Sequence, residues 1–292
     1  MNGFTLTWKR GPGNLVTPIG RDVYYVPVKG ASLETRAAML SSLLPDEVVI
    51  ARRTAAWLWG LDVLPPGVRE ADWPVDLVDP SDPETPMPAE HTVEREHVRL
   101  TSPARTALDC ARWLPRCEAV AGLDQFLRRG VEAAELRKMA RTLPGYRGNT
   151  RLGEVLRLGD RGSASPGESW TKVAVVDAGF PRPACQVPVM GPNDRMLYVD
   201  LGYADFRVGL EYDGERHHTG AAARTRDRRR RKWLAEEMKW ELIPVTRDFL
   251  SRPAPFLEAL LTALLHRGWT PDDATLTRIT ERLRSLSRPR RC

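Results

Sequence analysis

Two runs of alternating apolar and polar residues, MLYVDLGYA (196–204) and FRVGLEYDG (206–214), meet at the short segment ADFR (204–207). Such a pattern closes into an antiparallel hairpin. With ADFR as the turn, residues whose numbers sum to 411 face each other, which places Asp200 opposite Glu211. Side chains alternate faces, so Asp213 shares the face of Glu211, and directly opposed Cβ atoms lie only about 5 Å apart. Like charges at that spacing repel, and a cation between them removes the cost. Hard divalent ions such as Mg²⁺ or Mn²⁺ take oxygen ligands of this kind. The hairpin therefore predicts a metal held by Asp200 and Glu211, with Glu168 on the preceding helix offering a third oxygen. His217 or His218, just past Gly214, is then placed to take a proton from an attacking water. Asp213 is open to two readings, a catalytic-site ligand or a side chain that holds the turn at Gly214.

The segments around the hairpin complete an α-β-β-β-α-β order. SPGESWTKVAVVDAGF (165–180) has a helix-start signal at Ser165 and Pro166, CQVPV (185–189) reads as a strand, and WELIPVT (240–246) as another. Between the last two strands lies an arginine-rich helix, 222–238. Its cations Arg224, Arg226, Arg228, Arg229, Arg230, Arg231 and Lys232 beside an acidic site suit a phosphate cradle. Trp233, Leu234 and Trp240 read as inward-facing. Two further helices, 253–267 and 271–286, close the chain.

The first half reads differently. Helices are expected over 32–44, over RRTAAWLWGL (52–61), over 100–114 with Ser102 as cap and Pro103 at the first helical position, and over 116–129. GRDVYYVPVKG near the start reads as a strand or hairpin, and the proline-rich 79–92 as an extended loop. The Gly-, Arg- and Ser-rich stretch 144–166 reads as the join, giving domains at 1–155 and 156–292. The fold class expected is α/β (α+β): a mixed sheet flanked by helices in the second domain, and a smaller, mainly helical first domain.

Composition narrows the function classes. The chain has 42% hydrophobic and 28% charged residues, no apolar run approaching the roughly 20 residues of a membrane span, and no basic-then-apolar leader. A cytoplasmic location is expected. Cys110, Cys117, Cys185 and Cys292 are scattered without metal-ligand spacing, which argues against zinc and a disulfide framework. The net charge of +6 favours polyanionic partners.

The run VDLGYADFRVGLEYDGERHH, followed by RDRRRRKWLAEEMKWELIPVT, resembles the branch of the PD-(D/E)XK nuclease superfamily related to very-short-patch-repair endonucleases. The family's helix acid, strand Asp, E-x-D-G, following His and D-x-x-R fall on Glu168, Asp200, Glu211 with Asp213 and Gly214, His217 and His218, and Asp227 with Arg230. Asp213 stands where the superfamily's third motif has a lysine. The resemblance implies a restriction-endonuclease-like second domain and Mg²⁺- or Mn²⁺-dependent cleavage of DNA, in repair, phage defence or a toxin–antitoxin setting. RRTAAWLWGL, LTSPARTALDCAR and LDQFLRRG make the first half similar to AbiEi-type antitoxins, without an obvious winged helix-turn-helix. That similarity implies an alternative, a non-cleaving DNA-binding regulator with a toxin-like partner protein.

Overall fold

A computed structural model describes residues 9–10, 15–18, 24–25, 32–44, 48–65, 67–78, 87–146, 148–214 and 221–287. The chain divides into two compact units, 1–159 and 160–292. The α+β class expected from the sequence is present; the first unit, expected to be smaller and mainly helical, is the longer of the two and holds two sheets of its own among the described residues. No helix among the described residues is long and apolar enough to cross a membrane.

The first unit opens with short strands β1 (Lys9–Arg10), β2 (Leu15–Pro18) and β3 (Tyr24–Tyr25), paired in that order. Helix α1 (Leu33–Leu43) starts at Ser32, whose hydroxyl accepts from the Thr35 N–H at 3.1 Å. Strand β4 (Val49–Ile50), helix α2 (Arg52–Leu58), strand β5 (Leu77–Val78) and the hairpin β6 (Thr92–Arg95)–β7 (Val98–Thr101) follow. Together these strands form a sheet in the order β5-β4-β7-β6, with β4 and β7 parallel. Leu33, Ala37, Leu40, Ile50 and Leu100 form the core beneath it. Helices α3 (Pro103–Trp113), α4 (Arg116–Arg128), α5 (Ala133–Thr142) and α6 (Thr150–Leu158) complete the unit. The expected cap of α3 is present, with the Ser102 hydroxyl accepting from the Arg105 N–H at 3.3 Å. The stretch expected to be a join contains the division between the units and also α6, which begins on an Asn149 side-chain cap and buries Leu152 and Val155. A cap followed by apolar residues at helical spacing outweighs local Gly and Arg content.

The second unit runs α7 (Pro166–Asp177), β8 (Ala184–Met190), β9 (Met196–Tyr203), β10 (Val208–Asp213), α8 (Ala221–Glu236), β11 (Glu241–Thr246), α9 (Arg247–Ser251), α10 (Ala254–His266) and α11 (Asp273–Ser287). Its sheet order is β11-β10-β9-β8, antiparallel except for the β10–β11 pair. The predicted register holds: Val208 pairs with Tyr203, Gly209 with Gly202 and Leu210 with Leu201. Arg207 closes the turn in the left-handed region, at φ 52°. Two clusters flank the sheet. Val175, Leu201, Val208, Leu210, Val245 and Leu257 gather with residues of α7, α10 and α11, whereas Val187, Val189 and Val199 gather with Leu234 and Trp240.

Strict alternation would keep Val199 and Leu201 together, yet they join different clusters. The change falls at Asp200 and at Gln186, which lies between the Cys185–Leu201 and Val187–Val199 pairs with φ 48°. Helix α7 approaches β10 closely because Gly167 has no side chain: a Cβ there would lie 2.0 Å from the Tyr212 ring. Gly167→Ala should therefore cost about 1–3 kcal/mol by overpacking. Gly153→Ala on α6, where nothing lies within 4 Å, should be neutral or add up to about 1 kcal/mol. Urea denaturation of the two variants measures the contrast.

Candidate functional site

Ser165, Pro166 and Glu168 start α7 as a capping box. The Ser165 hydroxyl accepts from the Glu168 N–H at 3.3 Å, and the Glu168 carboxylate reaches back, with Oε1 accepting from Ser165 Oγ at 3.1 Å. Glu168 Oε2 accepts from the Ala164 N–H at 2.8 Å and from Gln186 Nε2 at 3.0 Å. Both oxygens of this buried acid are thus engaged in fixing the helix start and in tying it to β8. Gln186 escaped the sequence reading because its role depends on a left-handed residue inside a strand, and no local pattern announces that.

One step beyond the last paired residues of the β9–β10 ladder come Asp200 and Glu211, as the hairpin register requires. Asp200 Oδ2 accepts from the Tyr212 N–H at 3.0 Å. Burial pushes the Asp200 carboxyl up to about 7; the neighbouring Glu211 and Glu168 carboxylates add to the rise, while the Tyr212 N–H and Arg230 oppose it. The electrostatic crowding expected from the sequence is therefore present.

The cation that answers it comes from α8. Arg230 grips the buried Glu211 with two N–H groups, Nη1 to Oε2 and Nη2 to Oε1, each at 2.7 Å. Nη2 also donates to the Tyr198 carbonyl, and Asp227 lies 3.8 Å from Nη1. Asp213 points to the same helix, as its shared parity with Glu211 predicts, and pairs with Arg231 at 3.3 Å; Arg231 also reaches Asp227 at 3.2 Å. Planar guanidinium groups suit such two-point grips on carboxylates. With both Glu211 oxygens held by Arg230 and both Glu168 oxygens hydrogen-bonded, the carboxylates as arranged do not fit a divalent ion. Among the described residues no three His, Cys, Asp or Glu side chains form a metal-binding group. His217 and His218 lie outside the described residues.

The basic residues of α8 fall into two sets. Arg230 and Arg231 face the acids, one turn from the fully buried Leu234. Lys232 lies 3.7 Å from Glu236. Arg226, Arg228 and Arg229 are exposed and make no ion pair among the described residues. Arg224 belongs to the same helix, but its side chain lies outside the description. The sequence pattern also did not disclose Lys172, fully buried on α7 with Nζ 3.1 Å from Ser163 Oγ.

Among comparisons with known proteins, the family match falls within the first unit, whereas the alignment with relatives extends into the second. The family described as AbiEi antitoxin C-terminal domain matches residues 81–158. The chain is 30% identical, over 242 residues, to uncharacterized proteins from two strains of Mycobacterium tuberculosis; the alignment covers 80% of this chain and 87% of theirs. No solved structure matches it.

Two outcomes follow from the geometry. Asp200 binds its proton more tightly in the folded than in the unfolded chain, where its value is near 4. Its contribution to stability is complete below about pH 4, declines as pH rises towards 7, and is flat above. At about 1.4 kcal/mol per pH unit the ceiling is about 4 kcal/mol, so Asp200→Asn should flatten the melting temperature between pH 4 and 7.5 and stabilise the chain at pH 8. Arg230→Gln should cost roughly 3 kcal/mol by leaving Glu211 buried without a counter-ion, and adding Glu211→Gln should restore most of it. Denaturant titration of the single and double variants reads this out.

Proposed function

The chain belongs to the same family as the two mycobacterial proteins, and from that premise we propose that it is an antitoxin-type regulatory protein that binds DNA without cleaving it. One observation carries the proposal: Glu211 and Asp213 are paired from within by Arg230 and Arg231, while Arg226, Arg228 and Arg229 of the same helix stay exposed and make no ion pair among the described residues. Glu211 and Asp213 have guanidinium partners supplied by the chain itself, and the exposed arginines of α8 offer guanidinium groups to phosphates. The first unit supports the reading through its match to the antitoxin domain over 81–158. A toxin-like protein is the partner this implies.

A second reading rests on a different observation. Burial raises the Asp200 carboxyl to about 7, with the neighbouring Glu211 and Glu168 adding to the rise, and negative charge gathered in this way is what Mg²⁺ or Mn²⁺ relieves in phosphodiester-hydrolysing sites of the PD-(D/E)XK type. In that reading Asp200 and Glu211 hold the ion, Glu168 assists, and His217 or His218 serves as base. Arg230 must first leave Glu211 for such a site to form.

Fluorescence anisotropy with labelled duplex DNA separates the two. The regulatory reading expects binding that is unchanged by Mg²⁺ or a chelator. It also expects the joint Arg228→Glu and Arg229→Glu exchange to weaken binding about tenfold or more and lower the salt slope by about two. Plasmid cleavage in Mn²⁺, lost on Asp200→Asn, would overturn it in favour of the enzyme.

A further inference from the structure

The first unit holds a second cationic surface, remote in sequence from α8. Trp113, the last residue of α3, is 39% exposed. Two guanidinium groups pack on its indole: Arg52 Cζ lies 4.7 Å from the ring centroid and Arg112 Cζ 4.4 Å. Arg112 is also 4.3 Å from the ring of Tyr146, which is buried and donates to Asp109 Oδ1 at 2.5 Å. Tyr146 is therefore held in place, and its ring backs Arg112.

Arg52 differs from the other stacked arginines of the unit. Arg53, over Trp73, is bound to Glu118, and Arg95, over Trp59, lies beside Glu96. Arg52 makes no hydrogen bond or ion pair among the described residues, and its Nε is buried without a partner. The carboxylates that feel its charge do not hydrogen-bond it: Asp76 accepts from Thr54 and Trp73, and Asp109 accepts from Arg105 and Tyr146 through Oδ1, its Oδ2 having no partner among the described residues. A stacked guanidinium uses its face for the indole and leaves its in-plane N–H edge open, the geometry that takes a phosphate by two parallel hydrogen bonds. The indole also limits the rotamers Arg52 can lose on binding, which lowers the entropic cost.

We propose that Arg52, held on Trp113 beside Arg112, is a phosphodiester contact, and that nucleic acid lies against this surface of the first unit as well as against α8. The site accounts for an exposed indole whose stacked Arg52 makes no ion pair among the described residues, where Arg53 and Arg95 each have a carboxylate beside them. It stands independently of the reading of α8, and the test separates them.

The measurement is anisotropy of labelled single-stranded and duplex DNA on the full chain already carrying Arg226→Glu, Arg228→Glu and Arg229→Glu, which replaces every exposed α8 arginine that makes no ion pair among the described residues. Salt-dependent binding should persist in that background. Arg52→Gln should then weaken it three- to tenfold and lower the slope of log K against log salt by about one. Arg52→Lys, which keeps the charge without the planar edge, should recover the slope but only part of the affinity. Trp113→Leu should weaken binding with a smaller change in slope; should that variant misfold by circular dichroism, Arg52→Gln still decides, because Arg52 has no ion pair to lose. No binding in the background chain, an unaltered slope in Arg52→Gln, or competition by polyglutamate as effective as that by DNA would each overturn the proposal.

Discussion

The two-point ion pair between Arg230 and Glu211 sets the character of the second unit. Glu211 is 6% exposed on a central strand and has the Asp200 carboxylate as a neighbour, so it needs a partner of opposite charge. A guanidinium supplied by α8 meets that need with two hydrogen bonds of 2.7 Å, and in doing so fixes the rotation of α8 over the sheet. The neighbouring residues then have little freedom. Arg231 meets Asp213, Leu234 enters the core, and Arg226, Arg228 and Arg229 are left facing water.

Arginine does comparable work in the first unit, by another route. Arg36 donates to the Glu70 and Trp73 carbonyls, Arg99 to those of Ser41 and Leu44, Arg129 to those of Trp59 and Gly60, and Arg151 to that of Leu114. Several of these carbonyls lie at helix ends, where backbone acceptors lack partners and a positive charge suits the helix dipole. A chain with 44 Lys and Arg residues against 38 Asp and Glu thus uses part of its cationic excess as internal fastening. Net charge alone overstates how much is available to a polyanion. The distinction between Arg230 and Arg228, or between Arg53 and Arg52, lies in orientation and local partners.

Much of the second unit was legible because its signals are local. The ADFR turn and the alternation around it fix the β9–β10 register, and Ser165, Pro166 and Glu168 announce the start of α7. The electrostatic argument from Asp200 and Glu211 also identified the need for a cation, but spacing along the chain cannot say whether a bound ion or a side chain 19 residues away supplies it. The four-stranded sheet of the first unit was hidden for a related reason. Strands β4 and β5 contribute two residues each, too few to show a period, and they are held by pairing with segments tens of residues distant. Gln186 and Arg52 share a further difficulty, since each occupies a left-handed backbone conformation that its residue type does not signal.

Helix α8 joins two parallel neighbours, β10 and β11, and so is a crossover strut as well as a charged surface. The two duties are partitioned around its circumference: one side is committed to Glu211, Asp213 and the Leu234 cluster, the other carries exposed arginines that fold stability scarcely constrains. Charge on the outer side can therefore change between relatives at little cost to the pairing of Arg230 and Arg231 or to the Leu234 cluster. Family members with similar frameworks and divergent partners are the expected product of that division.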